Sequence, residues 1–283
     1  MDPSQVVAAL EAIYNPQSTN DLRQAASAYL EDAKRLPQAP AHGFMLASDN
    51  SRSPALRHYG LSMLEHAIKY SWEDYTEEQA GTLRDYVIQL AENVSEQAPL
   101  YLRNKVAQLW AEIAKRSWAA EWMNMDEQLV KLWSTSMVHQ VLVLYILETL
   151  SEDIFAREDS TAALRGNILG QACVEIFTPA AVLSEHFPNR EATVNVRFGD
   201  EGWIKRLCDL LDWCLNNSPE KDERLHYLAV KALNVLRAAM SWLMPRTISI
   251  TRCTDFICRS LPVNDVSMQT VIISIKILLV LLY

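Results

Sequence analysis

A chain of 283 residues can bury a sizeable core without disulfides or metals, which excludes a staple-dependent mini-protein. With 49% apolar and 22% charged residues, only 7 glycines and 11 prolines, it is neither disordered nor low-complexity, and so few glycines disfavour α/β folds and β-sandwiches with their positive-φ turns. Against 26 basic side chains stand 35 acidic ones, a net charge of −9, the opposite of what a domain needs to hold nucleic acid alone.

Helical periodicity runs through the chain from its start. Val6, Leu10, Ile13 and Tyr14 form a short stripe, Pro16 breaks it, and Leu22, Ala25, Ala26, Tyr29, Leu30, Ala33 and Leu36 form a longer one. Pro37, Pro40, Gly43 and Asn50 then read as a loop. Ser53-Pro54 is an N-cap followed by proline in the first turn, opening a helix through Tyr59, Gly60, Met63, Leu64 and Ile68 that stops by Trp72. Thr76 with Gln79 is a capping box for the helix carrying Leu83, Val87, Leu90 and Ala91. Pro99 starts a helix through Leu102, Val106, Leu109, Trp110 and Ile113, and another passes through Trp122, Leu129, Leu132 and Trp133.

From Met137 to Phe155 the chain is apolar on most sides, and Leu164 to Phe177 pairs with it. Gly166 and Gly170 suggest close helix packing. Residues 184–201 are a long break, followed by Trp203 to Leu215, by a helix from Ser218-Pro219 to Trp242, and by Ile248 to Leu261. Helix pairs recurring every 40 to 50 residues or so have the period of a HEAT-like solenoid, about six repeats with the last incomplete. The fold class expected is all-α, a right-handed superhelical solenoid of HEAT/armadillo-type helix pairs. Val271 to Tyr283 is almost wholly apolar but shorter than a membrane span and interrupted by Lys276; it reads as a buried helix without its packing partner, the end of a truncated or mis-spliced chain.

Chemistry-bearing patterns are missing. There is no phosphate-loop, nucleophile-elbow or H-E-x-x-H sequence, so no catalytic residues are assigned. The five cysteines, Cys173, Cys208, Cys214, Cys253 and Cys258, lack zinc-ligand spacing and read as buried thiols of a reducing compartment, where Asn93-Val94-Ser95 and Asn216-Asn217-Ser218 stay unglycosylated. His58 and His66, eight apart, are too distant for a metal pair, so no metal is expected. Trp110, Trp118, Trp122 and Trp133 read as core anchors, since no basic cluster accompanies them.

Several runs of residues are more specific. Arg57-His58-Tyr59-Gly60-Leu61 with Leu64-Glu65-His66 resembles an R-H-[FY]-G-L-x-x-L-E-H run of exportin-5-type karyopherin-β receptors. Arg103-Asn104-Lys105 and Lys115-Arg116-Ser117-Trp118 look like that family's next repeat, with Ala119 where the family usually has proline, and Leu147-Glu148-Thr149-Leu150-Ser151-Glu152-Asp153 is similar to its following segment. The resemblance covers roughly residues 5–262 and is nearest in flavour to the fungal branch.

It implies a nuclear transport receptor that is no enzyme, needs no cofactor, shuttles as a monomer between nucleus and cytoplasm through the nucleoporins of the pore without entering a membrane, and binds Ran in its GTP form together with export cargo, protein or structured RNA. On it, residues 1–96 are importin-β N-terminal-like repeats for Ran, 97–262 are exportin-1/importin-β-like repeats, and 263–283 are an atypical tail. If second helices of successive pairs line the concave face, the candidates for Ran contact are Arg23, Ser27, Glu31 and Lys34, then Arg84, Asp85, Gln89 and Glu92. A helical-repeat scaffold with no nucleotide-dependent partner is the alternative.

Overall fold

The computed structural model describes residues 3–156, 159–188, 195–217, 223–261 and 268–282. Among these residues it is all-α, with sixteen α-helices, one 3-10 turn and an isolated bridge between Trp118 and Trp122 in place of any strand. The helices form the successive pairs of a helical-repeat solenoid. Two compact units divide the chain, residues 1–113 and 114–283.

In the first unit, α1 (Pro3–Tyr14) and α2 (Asn20–Lys34) form an antiparallel pair. The Thr19 hydroxyl caps α2 by accepting from the Leu22 amide, and Arg23 Nη2 fixes the turn by donating to the carbonyls of Asn15 (2.9 Å) and Pro16 (3.2 Å). Val6, Ala9 and Leu10 meet Ala26 and Leu30, with Tyr59 and Met63 closing the cluster.

The expected loop over residues 37–50 is instead largely a helix, α3 (Ala39–Ser48). Pro40 falls in its first turn, where a missing amide costs nothing, so proline there marks a start and not a break. Gly43 serves close approach to α4 (Pro54–Tyr70), which the Ser53 hydroxyl caps as expected. A Cβ on Gly43 would lie 2.8 Å from the Gly60 carbonyl oxygen, and one on Gly60 would lie 2.5 Å from that of Gly43, so the two backbones touch.

The capping box predicted for α5 (Glu77–Glu92) is present, with Thr76 and Gln79 exchanging bonds of 3.0 and 3.3 Å. Because α3 pairs with α4, α2 stacks on α4 and α5 on α3. The extra helix thus shifts the pairing by one element. α5 packs on α3 and so lies in the layer of α3, while α2 and α4 make the other layer.

The division between units falls within α6 (Leu100–Ser117). In the second unit Ala119 has φ +62, in the left-handed region, and leads by way of buried Trp122 into α7 (Met125–Trp133). α8 (Met137–Phe155) follows with the predicted limits, buried on most sides, and then α9 (Ser160–Leu164), α10 (Gly166–Phe177) and α11 (Ala180–His186). Gly166 has open space where a Cβ would stand and Gly170 only ordinary contact with Phe155, so neither serves the close packing expected of them.

α12 (Gly202–Asn217) and α13 (Glu223–Ala239) pair, α13 also packing on α8. The expected start at Ser218-Pro219 lies outside the described residues. α14 (Pro245–Ile250) and α15 (Cys253–Arg259) split the single helix expected there. The apolar tail forms α16 (Met268–Leu282), which rests on α13 and α15, burying Ile273 and Ile277 and exposing Ile272, Ile275, Leu279 and Val280. No described helix is long and apolar enough to cross a membrane.

Trp110, Trp118 and Trp122 are fully buried anchors, and Trp133 meets Trp203 edge to face at 5.4 Å. Four of the five cysteines are buried as expected; Cys258 is exposed.

Candidate partner-binding site

The runs of residues that carry the resemblance turn out to hold helices together. In the first unit Arg57 Nε donates to the Ala47 carbonyl (3.2 Å), the Tyr59 hydroxyl to the Leu30 carbonyl (2.7 Å), and Gly60 allows the α3–α4 contact. Burial raises the Tyr59 phenol, helped by Glu31 and Tyr29, so it stays a donor. Glu65 accepts from Lys69 (3.0 Å) and from Lys105 of α6 (2.6 Å). Burial pushes its carboxyl up, but the hydrogen bonds from the two lysines outweigh burial and hold it below the ordinary carboxylate range. His58 sits edge-on to Tyr101 at 5.7 Å, and burial, then the Lys105 ammonium, keeps its imidazole below its usual value.

In the second unit the Lys115 ammonium is 1% exposed and held between Asp153 (3.0 Å) and Asp159 (2.9 Å). Asp159 also caps α9 through the Ala162 amide, and Arg165 donates to the Lys115 and Trp118 carbonyls. Ser151 accepts from Trp242, Glu152 pairs with Arg237 (2.9 Å) and Glu148 with Lys231 (3.8 Å). The acidic run at 148–153 therefore fastens α8 to α13 and to the end of α6. Lys231 additionally faces the rings of Tyr145 and Tyr227 at 5.3 and 5.9 Å.

The candidate contact residues fall into two sets. On α2, Ser27 and Glu31 are exposed, Glu31 pairs with Lys34 (2.7 Å), and Lys34 lies 5.8 Å from the Tyr59 ring centroid, so the stripe continues onto α4. Arg23 is only partly accessible because its guanidinium holds the α1–α2 turn. On α5, Asp85, Gln89 and Glu92 are exposed, while Arg84 is half-buried 3.9 Å from Asp85. The two sets do not share a layer. The layer of α2 also carries Glu65, Lys69 and Lys105; Glu65 and Lys105 belong to the family-like runs, but their pairing across forty residues leaves no local signal in the sequence.

The buried Asp126 of α7 also escapes sequence reasoning. It accepts from the Phe198 amide and the Trp203 indole, both at 2.6 Å, tying residues 198–203 to α7. Burial pushes its carboxyl up to about 6, against the lowering effect of those two bonds and of Arg206 and Arg197. Among the buried thiols, burial alone raises Cys173 and pushes Cys214 up to about 12, while a sulfur contact with Cys208, then burial, raises Cys253.

Comparison with known proteins adds to this geometry. The family description "Importin-beta N-terminal domain" matches residues 26–92, and "Exportin 1-like protein" matches residues 99–179. Protein MSN5 of Saccharomyces cerevisiae is 30% identical over 84% of this chain and 20% of its own length. Exportin-5 of Homo sapiens is 23% identical over 94% of this chain and 21% of its own. Exportin-5 of Dictyostelium discoideum is 25% identical over 56% and 14%. The chain spans about a fifth of the length of the first of these relatives.

Proposed function

Because the chain belongs to the exportin-5-type receptors, fungal branch, of the karyopherin-β (importin-β) family, we propose that it acts in nuclear export, binding Ran in its GTP form and carrying cargo from nucleus to cytoplasm. The observation that carries this reading is the order of the two family matches, Importin-beta N-terminal over 26–92 and Exportin 1-like over 99–179, on consecutive helix pairs.

In this reading Ran meets the second-helix layer of the first unit: Ser27, Glu31 and Lys34 of α2, extended by Glu65 and Lys69 of α4 and Lys105 of α6. The mixed charges of that layer suit a GTPase drawn in by salt-sensitive electrostatics. Arg84, Asp85, Gln89 and Glu92 lie on the other layer and would serve a different contact. Ran and cargo each favouring one curvature of a flexible solenoid would raise each other's affinity by the same factor. Nucleoporin contact during passage and shuttling between nucleus and cytoplasm belong to the same reading, which involves no catalysis. With a net charge of −9 these residues favour protein cargo over RNA held unaided.

The test is a pull-down of the full chain with Ran loaded with a non-hydrolysable GTP analogue or with GDP. Retention of the GTP-loaded form alone is expected. Equal retention of both forms, or of neither, would favour the scaffold.

A further inference from the structure

Arg57 and Arg103, which begin two of the runs quoted above, line one cleft in the first unit at the ends of α3, α4, α5 and α6. Ser48, Asn50 and Asn93 stand at its exposed rim, and Leu61 forms part of an aliphatic floor. In a chain with 35 acidic residues, none lines this cleft.

The two guanidinium groups are unequally placed. Arg57 is fixed by its bond to the Ala47 carbonyl, at the last turn of α3. Arg103 Nε is buried and has no hydrogen-bond partner. In the same unit the half-buried Lys105 is satisfied by Glu65 and Lys34 by Glu31, while Arg23, whose Nε is also buried without a hydrogen-bond partner, is held at Nη2 by two carbonyls. A buried donor left unmade costs roughly 1–3 kcal/mol, so such a group at a cationic cleft marks where an acceptor fits. Arg103 also lies in the first turn of α6, whose free amides add partial positive charge. The void is about 20 Å³, space for one or two ligand oxygens.

From these observations we infer that the cleft formed by Arg57 and Arg103 is a docking point for a carboxylate, supplied by an aspartate or glutamate side chain of an acidic partner segment. The carboxylate would take the Arg103 guanidinium as a charge-assisted pair, with the Asn50 and Asn93 amides available at the rim. The site lies at the helix ends, apart from the α2 stripe proposed for Ran, and does not depend on that proposal.

The experiment is fluorescence anisotropy with the full chain and a fluorescein-labelled octaglutamate peptide, octaglutamine serving as the uncharged control. Arg103→Gln should weaken octaglutamate binding about tenfold or more while the melting temperature stays nearly unchanged, and Arg103→Lys should retain part of the binding. Should Arg103→Gln fold poorly, Ser48→Asp gives the same reading from the rim, since its own carboxylate competes for the cleft and should likewise weaken the peptide. Acetate should displace the peptide at concentrations where inorganic phosphate does not. Undiminished binding in a folded Arg103→Gln or in Ser48→Asp, equal binding of octaglutamine, or displacement by phosphate in preference to acetate would each overturn the assignment.

Discussion

Replacing Gly60 by alanine tests the α3–α4 contact on which the layer assignment depends. In an exposed helix interior this exchange stabilises by about 1 kcal/mol, because glycine loses more backbone entropy on folding. At Gly60 the new methyl would stand 2.5 Å from the Gly43 carbonyl oxygen, 2.8 Å from the Ala47 amide nitrogen and 2.9 Å from Leu46 Cβ. Two of these three are backbone atoms, so relief requires the helices to part instead of a side chain turning. Overpacking of this kind costs about 1–3 kcal/mol or more, which exceeds the entropic gain. Gly81→Ala is the internal control: it lies in α5, and its nearest neighbour is the mobile end of Arg84 at 3.7 Å. The two variants, compared by urea unfolding of the full chain, should therefore differ by roughly 2–4 kcal/mol, with Gly60→Ala below the parent and Gly81→Ala at or above it. A Gly60→Ala protein as stable as the parent would mean that α3 and α4 are not in backbone contact, and the shift of helix pairing would fall with it.

Three further outcomes follow from single groups. Lys115→Met leaves Asp153 and Asp159 without the buried ammonium between them and should cost about 3–5 kcal/mol in chemical denaturation; a loss under 1 kcal/mol would contradict the buried pairing. The Asp126 carboxyl titrates near 6 when folded, above its ordinary 3.8, so the folded state binds the extra proton first and this group's contribution to stability falls as pH rises from about 4 to 6. The parent should accordingly gain on Asp126→Asn by about 1 kcal/mol between pH 7 and pH 5 in thermal melts, and a pH-independent difference would remove the claim. Ala119→Pro, the residue usual in the resembling receptors, should destabilise by about 2–3 kcal/mol because proline is locked near φ −65° and cannot adopt +62°, whereas Ala119→Gly should be neutral or stabilising; tolerance of proline would show that this turn is not left-handed.

Features set within a few residues of one another were legible in the sequence. Ser53-Pro54 and the Thr76–Gln79 box act within one turn, and the 137–155 helix carries its own period, so each fell where expected. The helix at 39–48 did not, because Pro37, Pro40 and Gly43 are locally loop signals and only contact with Gly60 explains the glycine as packing. With that helix in place α5 packs on α3 and α2 on α4, so the Arg84–Glu92 set and the α2 set lie in different layers. The family-like runs were visible as patterns, but their work was not: Glu65 with Lys105 and Lys115 with Asp153 are about forty residues apart and meet only through folding. For Asp126 no pattern existed, since an acid beside an apolar stripe reads as solvated until Phe198 and Trp203 are seen to cover it.

Amide hydrogen exchange of the full chain, alone and with Ran carrying a GTP analogue or GDP, tests most directly for a nucleotide-gated partner on the α2–α4 layer of the first unit. Slowed exchange in α2 and α4 with the GTP analogue and none with GDP is the predicted result. Unchanged exchange in both helices, or the same protection with either nucleotide, would contradict it.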